Sequence, residues 1–458
     1  MQDRHYRAGT LVYTKRNLII LSFWLLWGDF AFYFFESIFS RFIPIFLREL
    51  NASNTLIGVM TGSLAGLVNV LFLPGISQWS DGFRSKIGRR IPFLYVVTPM
   101  VVGSLILIGF TPEIGGWLFY RIQWCLPWEI EQGSFILTLL GVTVVSFHFL
   151  NMVLVNAYNW LIRDVVPLPV MARFLAWFRI VGTVSSVFFL WFVFPHLLSH
   201  RREICLGVGL FYLVVFLSMC SQVKEGEYPP FESKEHRTGF LRTFAAYFRD
   251  SLRVPLYRHF FFAYLLVMSA TSCANSFSTL FMKESLGISM DGMGHIFSWT
   301  AALSAIVFFP VGWLCDRFSP LWITLGSVVG LSLLPLFGYF AVQTWHLYMI
   351  YSLLFTLPIV AWTLGSMATA MLLFPAIKFG QFSSGLNVFG CGGLIVGNYL
   401  IGTWIDTFHN DYRLAFLWTT ILAGIAIFPM FLVIRHWKRQ GGPNHYIAPL
   451  PDEAISNS

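Results

Sequence analysis

Charge is what this chain has least of: Asp, Glu, Lys and Arg make up only 11% of its 458 residues. A soluble chain of this length carries about twice that share, whereas here 56% of residues are hydrophobic and 18% aromatic. The composition excludes a water-soluble domain and indicates an integral membrane protein. Cysteine is also sparse. The six, Cys125, Cys205, Cys220, Cys273, Cys315 and Cys391, contain no CxxC pair, so they read as small apolar packers, neither a metal site nor a disulfide framework. HExxH, GxSxG, a P-loop and paired Cys and His clusters are all missing, which leaves an enzyme or a cofactor without support. The formal charge of +8 does not indicate nucleic acid, because the cations sit in short loops between apolar runs, where the positive-inside bias places them.

Apolar length is what the chain has in abundance. A spanning helix needs about 20 apolar residues, and twelve runs meet that need. They cover 18–47, 55–77, 93–111, 135–160, 174–195 and 203–222, then 257–282, 292–314, 321–341, 345–370, 384–405 and 413–435. The first is too long for the core of a signal peptide and is expected to stay in the membrane. An even number of spans puts both termini on one side. Segments on that side hold 22 cations against 6 on the other, which orients both ends toward the cytoplasm. The remaining two, Arg41 and Arg179, fall inside apolar runs.

The longest polar segment lies between runs six and seven and contains Pro229-Pro230 and mixed charge. It suits a linker, with an amphipathic stretch on the membrane surface. The expected division is 1–222, a six-helix bundle; 223–255, the linker; 256–440, a second six-helix bundle; and 441–458, a tail. Two internal echoes accompany it. Placing Pro167 on Pro375 also places Phe174 on Phe382, Arg179 on Asn387 and Gly182 on Gly390, and PGISQWSDGFRS resembles PVGWLCDRFSP, with Asp81 on Asp316 and Arg84 matched in role by Arg317.

The most informative stretch is WSDGFRSKIGRRIPF, residues 79–93. Asp81 ends one helix, Arg84, Lys86, Arg89 and Arg90 follow, and Pro92 opens the next helix where no backbone donor is needed. Asp81 can accept hydrogen bonds from neighbouring helix N-terminal amides or from an arginine across the bundle interface, holding the cytoplasmic side shut in one state. The plainer reading is that the cations enforce topology and touch anionic lipid.

Twelve spans, a central linker and this Asp-containing basic motif together resemble the major facilitator superfamily. Ser80, Asp81, Arg84, Ser85, Gly88, Arg89, Arg90, Pro92 and Phe93, with the Asp164-Val165-Val166-Pro167 turn, are similar to the sucrose transporters and the glycoside-pentoside-hexuronide cation symporters. Gly82, Ile91 and Arg163 depart from those families' pattern. The resemblance implies an all-α membrane fold of twelve transmembrane helices in two six-helix bundles. It also implies gating roles for Asp81, Arg84, Arg89, Arg90, Asp164, Asp316 and Arg317.

Run one carries Asp29, Glu36 and Arg41 where hydrocarbon is expected. Ionisable groups at that depth cost at least ~2.5 kcal/mol each and need partners or water. Asp29 and Glu36 are two turns apart, so they share a face. A carboxylate on a central cavity can bind and release a proton as access alternates, and Arg179 is the natural cation to pair with it. Asp29, Glu36 and Arg179 are thus the expected ion-coupling groups, the alternative being a static pair with Arg179 or Arg41. Amides and imidazoles in a span either bind sugar hydroxyls or join helices, and aromatic faces suit the C–H patches of sugar rings. Tyr33, His148, Asn151, Trp362 and Asn387 are the candidates for substrate binding.

The expectation is therefore a monomeric secondary transporter in the cytoplasmic membrane that needs no cofactor. It moves a sugar or glycoside by alternating access, coupled to a proton or another cation. A uniporter or exporter of another organic solute, or a membrane sensor, are the alternatives.

Overall fold

The computed structural model describes residues 6–124, 131–226, 252–375 and 378–449. Most of the expected linker, with its amphipathic stretch, and the end of the tail lie outside the described residues. A short hairpin comes first, β1 (Tyr6–Ala8) and β2 (Leu11–Tyr13), antiparallel with Tyr6 opposite Tyr13. Thr14 then starts α1 by accepting from the amide of Asn17, as a helix N-cap does.

Twelve helices among the described residues are long and apolar enough to cross a membrane. They are α1 (Lys15–Glu49), α2 (Asn54–Gly82), α3 (Ile91–Ile122), α4 (Gln132–Val165), α5 (Leu168–His196), α6 (Arg201–Gln222), α7 (Pro255–Ser285), α8 (Met290–Phe318), α9 (Pro320–Ala341), α10 (Trp345–Leu373), α11 (Phe379–Thr407) and α12 (Leu414–Arg439). Each coincides with one of the twelve apolar runs. The largest difference is α3, which continues through Pro112 to Ile122. Its added turns are anchored by Glu113, which pairs with Arg201 at 2.9 Å, while Arg201 Nε donates to the Gly109 carbonyl at 2.8 Å. A one-turn helix, α13 (Gly442–His445), follows Gly441 and Gly442, whose positive φ values turn the chain sharply. Tyr446 then donates to the Leu373 carbonyl at the end of α10.

The chain forms two compact units. The first comprises Met1–Ala52, Val68–Glu232 and Ser289–Ala301; the second comprises Ser53–Leu67, Ser233–Ile288 and Ala302–Ser458. Helices in lipid gain little from the hydrophobic effect, so close packing must hold them. In the first unit the packing is aromatic: Phe39 stacks on Phe147 at 4.0 Å, and Phe35 on Tyr212 at 4.7 Å. In the second, Tyr257, Phe260 and Phe261 of α7 are buried with Phe374, Phe382 and Trp362.

The internal echo has a physical counterpart. Gly182 of α5 lies against the Tyr33 ring of α1, so close that a Cβ there would meet Cδ2 at 2.6 Å; Gly390 of α11 lies against the Tyr264 ring of α7, where a Cβ would meet Cε1 at 2.7 Å. Each unit thus seats a tyrosine of its first long helix on a glycine of its fifth. The register that sets Tyr33 on Tyr264 sets Asp29 on Phe260 and Glu36 on Val267. The acids occur in one copy alone.

Candidate functional site

Asp29 is fully buried, and neither of its carboxylate oxygens has a hydrogen-bond partner among the described residues. Its helix places it where Met219 of α6 covers the adjacent Gly28. Two turns on, Glu36 is half-buried and accepts from the Asn151 side-chain amide of α4 at 3.1 Å. Between them stands Tyr33, which feels the charges of Arg179, Asp29 and Glu36. The expected shared face is therefore present, and it turns toward α4, α5 and α6.

Arg179 of α5 is exposed, and its charge acts on Asp29. Among the described residues neither Asp29 nor Glu36 forms an ion pair within 4.0 Å. Arg41 instead places its guanidinium 4.0 Å from the Phe297 ring centroid. His148 meets Phe39 edge to face at 4.9 Å, one turn beyond Glu36. Asn156 spends its amide on the Met152 carbonyl of its own helix.

Two tyrosines complete this cluster and were missed by sequence reasoning. Tyr158 of α4 and Tyr212 of α6 are fully buried; Asp29 acts on the first and Glu36 on the second. The Tyr158 hydroxyl donates to the Leu25 carbonyl at 2.7 Å, whereas the Tyr212 hydroxyl has no partner among the described residues. Both look like ordinary core aromatics in sequence. Tyr158 carries one signal, its helical spacing from Asn151, since seven residues return to the same face of α4; Tyr212, on α6, carries none. Chemically, two acids, three phenols, an amide and a nearby guanidinium cluster among apolar helices. Such a cluster can exchange protons and hydrogen-bond a hydroxylated solute.

Other candidates lie elsewhere. Trp362 belongs to the second unit, is 4% exposed and has its ring centroid 5.6 Å from that of Tyr264. Asn387, also of the second unit, is exposed. Asp316 and Arg317 are exposed on α8, with Arg317 lying over Trp313.

The loop between α2 and α3 closes a charge network within the first unit. Arg89 grips Asp164 of α4 with Nε at 3.1 Å and Nη2 at 2.9 Å, and Arg90 is buried between Ser80, Asp81 and the Trp160 ring. Arg84 donates to the carbonyls of Asp81 and Phe83. The helix N-terminal amides expected for Asp81 are taken by Glu225, which sequence reasoning left within the linker. Its carboxylate accepts from the backbone N–H groups of Arg89, Arg90 and Ile91 at 3.0, 2.8 and 2.7 Å. No side chain of the loop caps α3, so an acid from beyond α6 supplies what the dipole requires. Gly88, at φ +120°, gives Glu225 room, since a Cβ there would meet its carboxylate carbon at 2.5 Å.

A second clasp lies in the second unit. Asp406 near the end of α11 accepts from the backbone amides of Asn54 and Thr55 at 2.8 Å each, and from the Thr55 hydroxyl at 2.6 Å. Tyr412 donates to Asn54 Oδ1 at 3.0 Å. The start of α2 is thereby tied to α11.

No curated protein matches the sequence. Solved transporter structures match the fold across nearly the whole chain. A bacterial homologue of the human lysosomal transporter Spinster, inward-facing and unoccupied, is 14% identical, covers 93% of this chain and 99% of its own, and has a TM-score of 0.67. A bacterial homologue of the iron transporter ferroportin, inward-facing, is 13% identical with 91% and 98% coverage and a TM-score of 0.64. The nucleoside transporter NupG is 15% identical with 91% and 99% coverage and a TM-score of 0.60. Residues 260–449 match the sequence model of the Major Facilitator Superfamily. The chain is a multi-pass membrane protein with the major facilitator fold.

Proposed function

We propose that this protein is a secondary transporter that moves a sugar or glycoside across the cytoplasmic membrane together with a proton, both termini facing the cytoplasm. The observation that carries the reading is Asp29, a buried acid without a hydrogen-bond partner among the described residues, one turn from Tyr33 and two from the Asn151-bound Glu36. An ionised carboxylate in that position is costly. It becomes tolerable when water or a solute reaches it, so proton binding and access to the cluster are linked. Arg179 supplies a charge that favours the ionised form when access opens. Tyr33, His148 and Asn151 would meet solute hydroxyls, with Asn387 the candidate in the second unit, since the Trp362 ring is packed in a core. The network of Asp81, Arg89, Arg90, Asp164 and Glu225 would act as the cytoplasmic gate, and alternation would rock two six-helix bundles about a midplane site.

Counterflow into proteoliposomes, with labelled mono- and disaccharides and nucleosides at two pH values, tests this reading. Exchange of a sugar, with net uptake driven by an inward proton gradient, is the expected result. Exchange of nucleosides alone, or sugar movement indifferent to the gradient, overturns the substrate or the coupling respectively.

A further inference from the structure

At the start of α7 and the end of α12, His259 and His436 lie ring to ring, with centroids 5.4 Å apart and planes 18° from parallel. His436 feels the charges of His259, Arg439, Arg435 and Arg258. The groups that act on His436 are thus all of one sign, and among the described residues none of the three arginines has a carboxylate within 4.0 Å. His259 Nδ1–H donates to the Pro255 carbonyl at 2.5 Å. A carbonyl can only accept, so Nδ1 carries the hydrogen and Nε2 is the nitrogen left for a ligand. On the same last turn of α12, the Lys438 ammonium lies 5.0 Å from the ring centroid of Trp322, which is 44% exposed. Tryptophan and long cationic side chains take that arrangement where hydrocarbon meets headgroups.

We propose that Arg258, Arg435, Arg439 and the His259–His436 pair bind the phosphodiester of an anionic phospholipid, with Trp322 and Lys438 at the rim beside its glycerol. Guanidinium groups hold phosphate oxygens in pairs, and a negative headgroup removes the repulsion among the three arginines. The source is the lipid rather than a free anion, because the site lies at the ends of membrane helices, on the same turn of α12 whose Lys438 covers an exposed tryptophan. The inference goes beyond transport and needs only that α7 and α12 cross a bilayer.

The test uses the full-length protein, comparing phosphatidylglycerol with phosphatidylcholine by native mass spectrometry and by melting temperature in nanodiscs. Wild-type protein should retain phosphatidylglycerol adducts in preference to phosphatidylcholine and melt higher in the anionic lipid. The R258Q/R435Q/R439Q variant should lose that preference about tenfold or more, while K15Q/R16Q/R173Q, with equal loss of charge elsewhere, should keep it. If the triple variant fails to fold, Arg435→Gln alone, at an exposed position, reads the same preference at smaller size. Undiminished adducts in the site variants, equal loss in the control, or stabilisation by inorganic phosphate matching that by the lipid at one ionic strength would each overturn the proposal.

Discussion

Asn151 donates its side-chain amide to Glu36, joining α4 to α1 within the first unit. Hydrogen bonds to charged groups contribute more than neutral ones, and a half-buried acid left without its donor is costly. Asn151→Ala should therefore lower the unfolding free energy by about 1–3 kcal/mol. Adding Glu36→Gln should restore much of it, since no carboxylate then remains to be satisfied. Chemical denaturation in detergent across this double-mutant cycle checks the coupling, and strictly additive losses would count against it.

Asp29→Asn keeps the shape of the side chain and cannot ionise, which tests the proposed coupling. Concentrative uptake should disappear while exchange of labelled solute persists. Wild-type uptake should rise as the external pH falls, and the variant's should stay flat. Accumulation by the variant equal to wild type at every pH would remove Asp29 from the coupling.

Glu225 caps α3 from outside the helix. Loss of a helix cap costs about 0.5–2 kcal/mol, so Glu225→Ala should lower the melting temperature, and Glu225→Gln, which keeps one oxygen acceptor, should lower it less. Gly88→Ala should be at least as damaging as Glu225→Ala, because the backbone sits at φ +120° and a Cβ meets the carboxylate. Differential scanning fluorimetry of the three variants orders these effects.

Asp406 satisfies two backbone donors at the start of α2. Asp406→Ala should expose them and cost about 1–3 kcal/mol. Hydrogen exchange at the amides of Asn54 and Thr55 should accelerate more than exchange elsewhere in α2. Unchanged protection at those two amides would show that Asp406 does not hold them.

The helices were legible because apolar length in a membrane protein records the spans directly. The exception was instructive. Pro112 and Glu113 read as the end of a span, yet α3 continues because Arg201 from the start of α6 pairs with Glu113 and binds Gly109. Asp29 and Glu36 were visible for the same reason as the spans, as charges where none are cheap. Facing was not visible. Trp362 is mid-helix as expected, but its ring packs in a core against Tyr264, a fact of helix rotation that position along the chain does not encode. Glu225 was hidden differently, since its partners lie 134 to 136 residues away and its surroundings look like a linker.

The tyrosine-on-glycine joint in each unit bears on how the two repeats diverged. Where the first copy carries Asp29 and Glu36, the second carries a phenyl and an isopropyl group, which can neither gain nor lose a proton. The tyrosine–glycine seat is present in both halves of the polypeptide, whereas the two acids stand in the first alone. An acid grafted at Phe260 would therefore ask whether the second seat can carry the proton exchange proposed for the first.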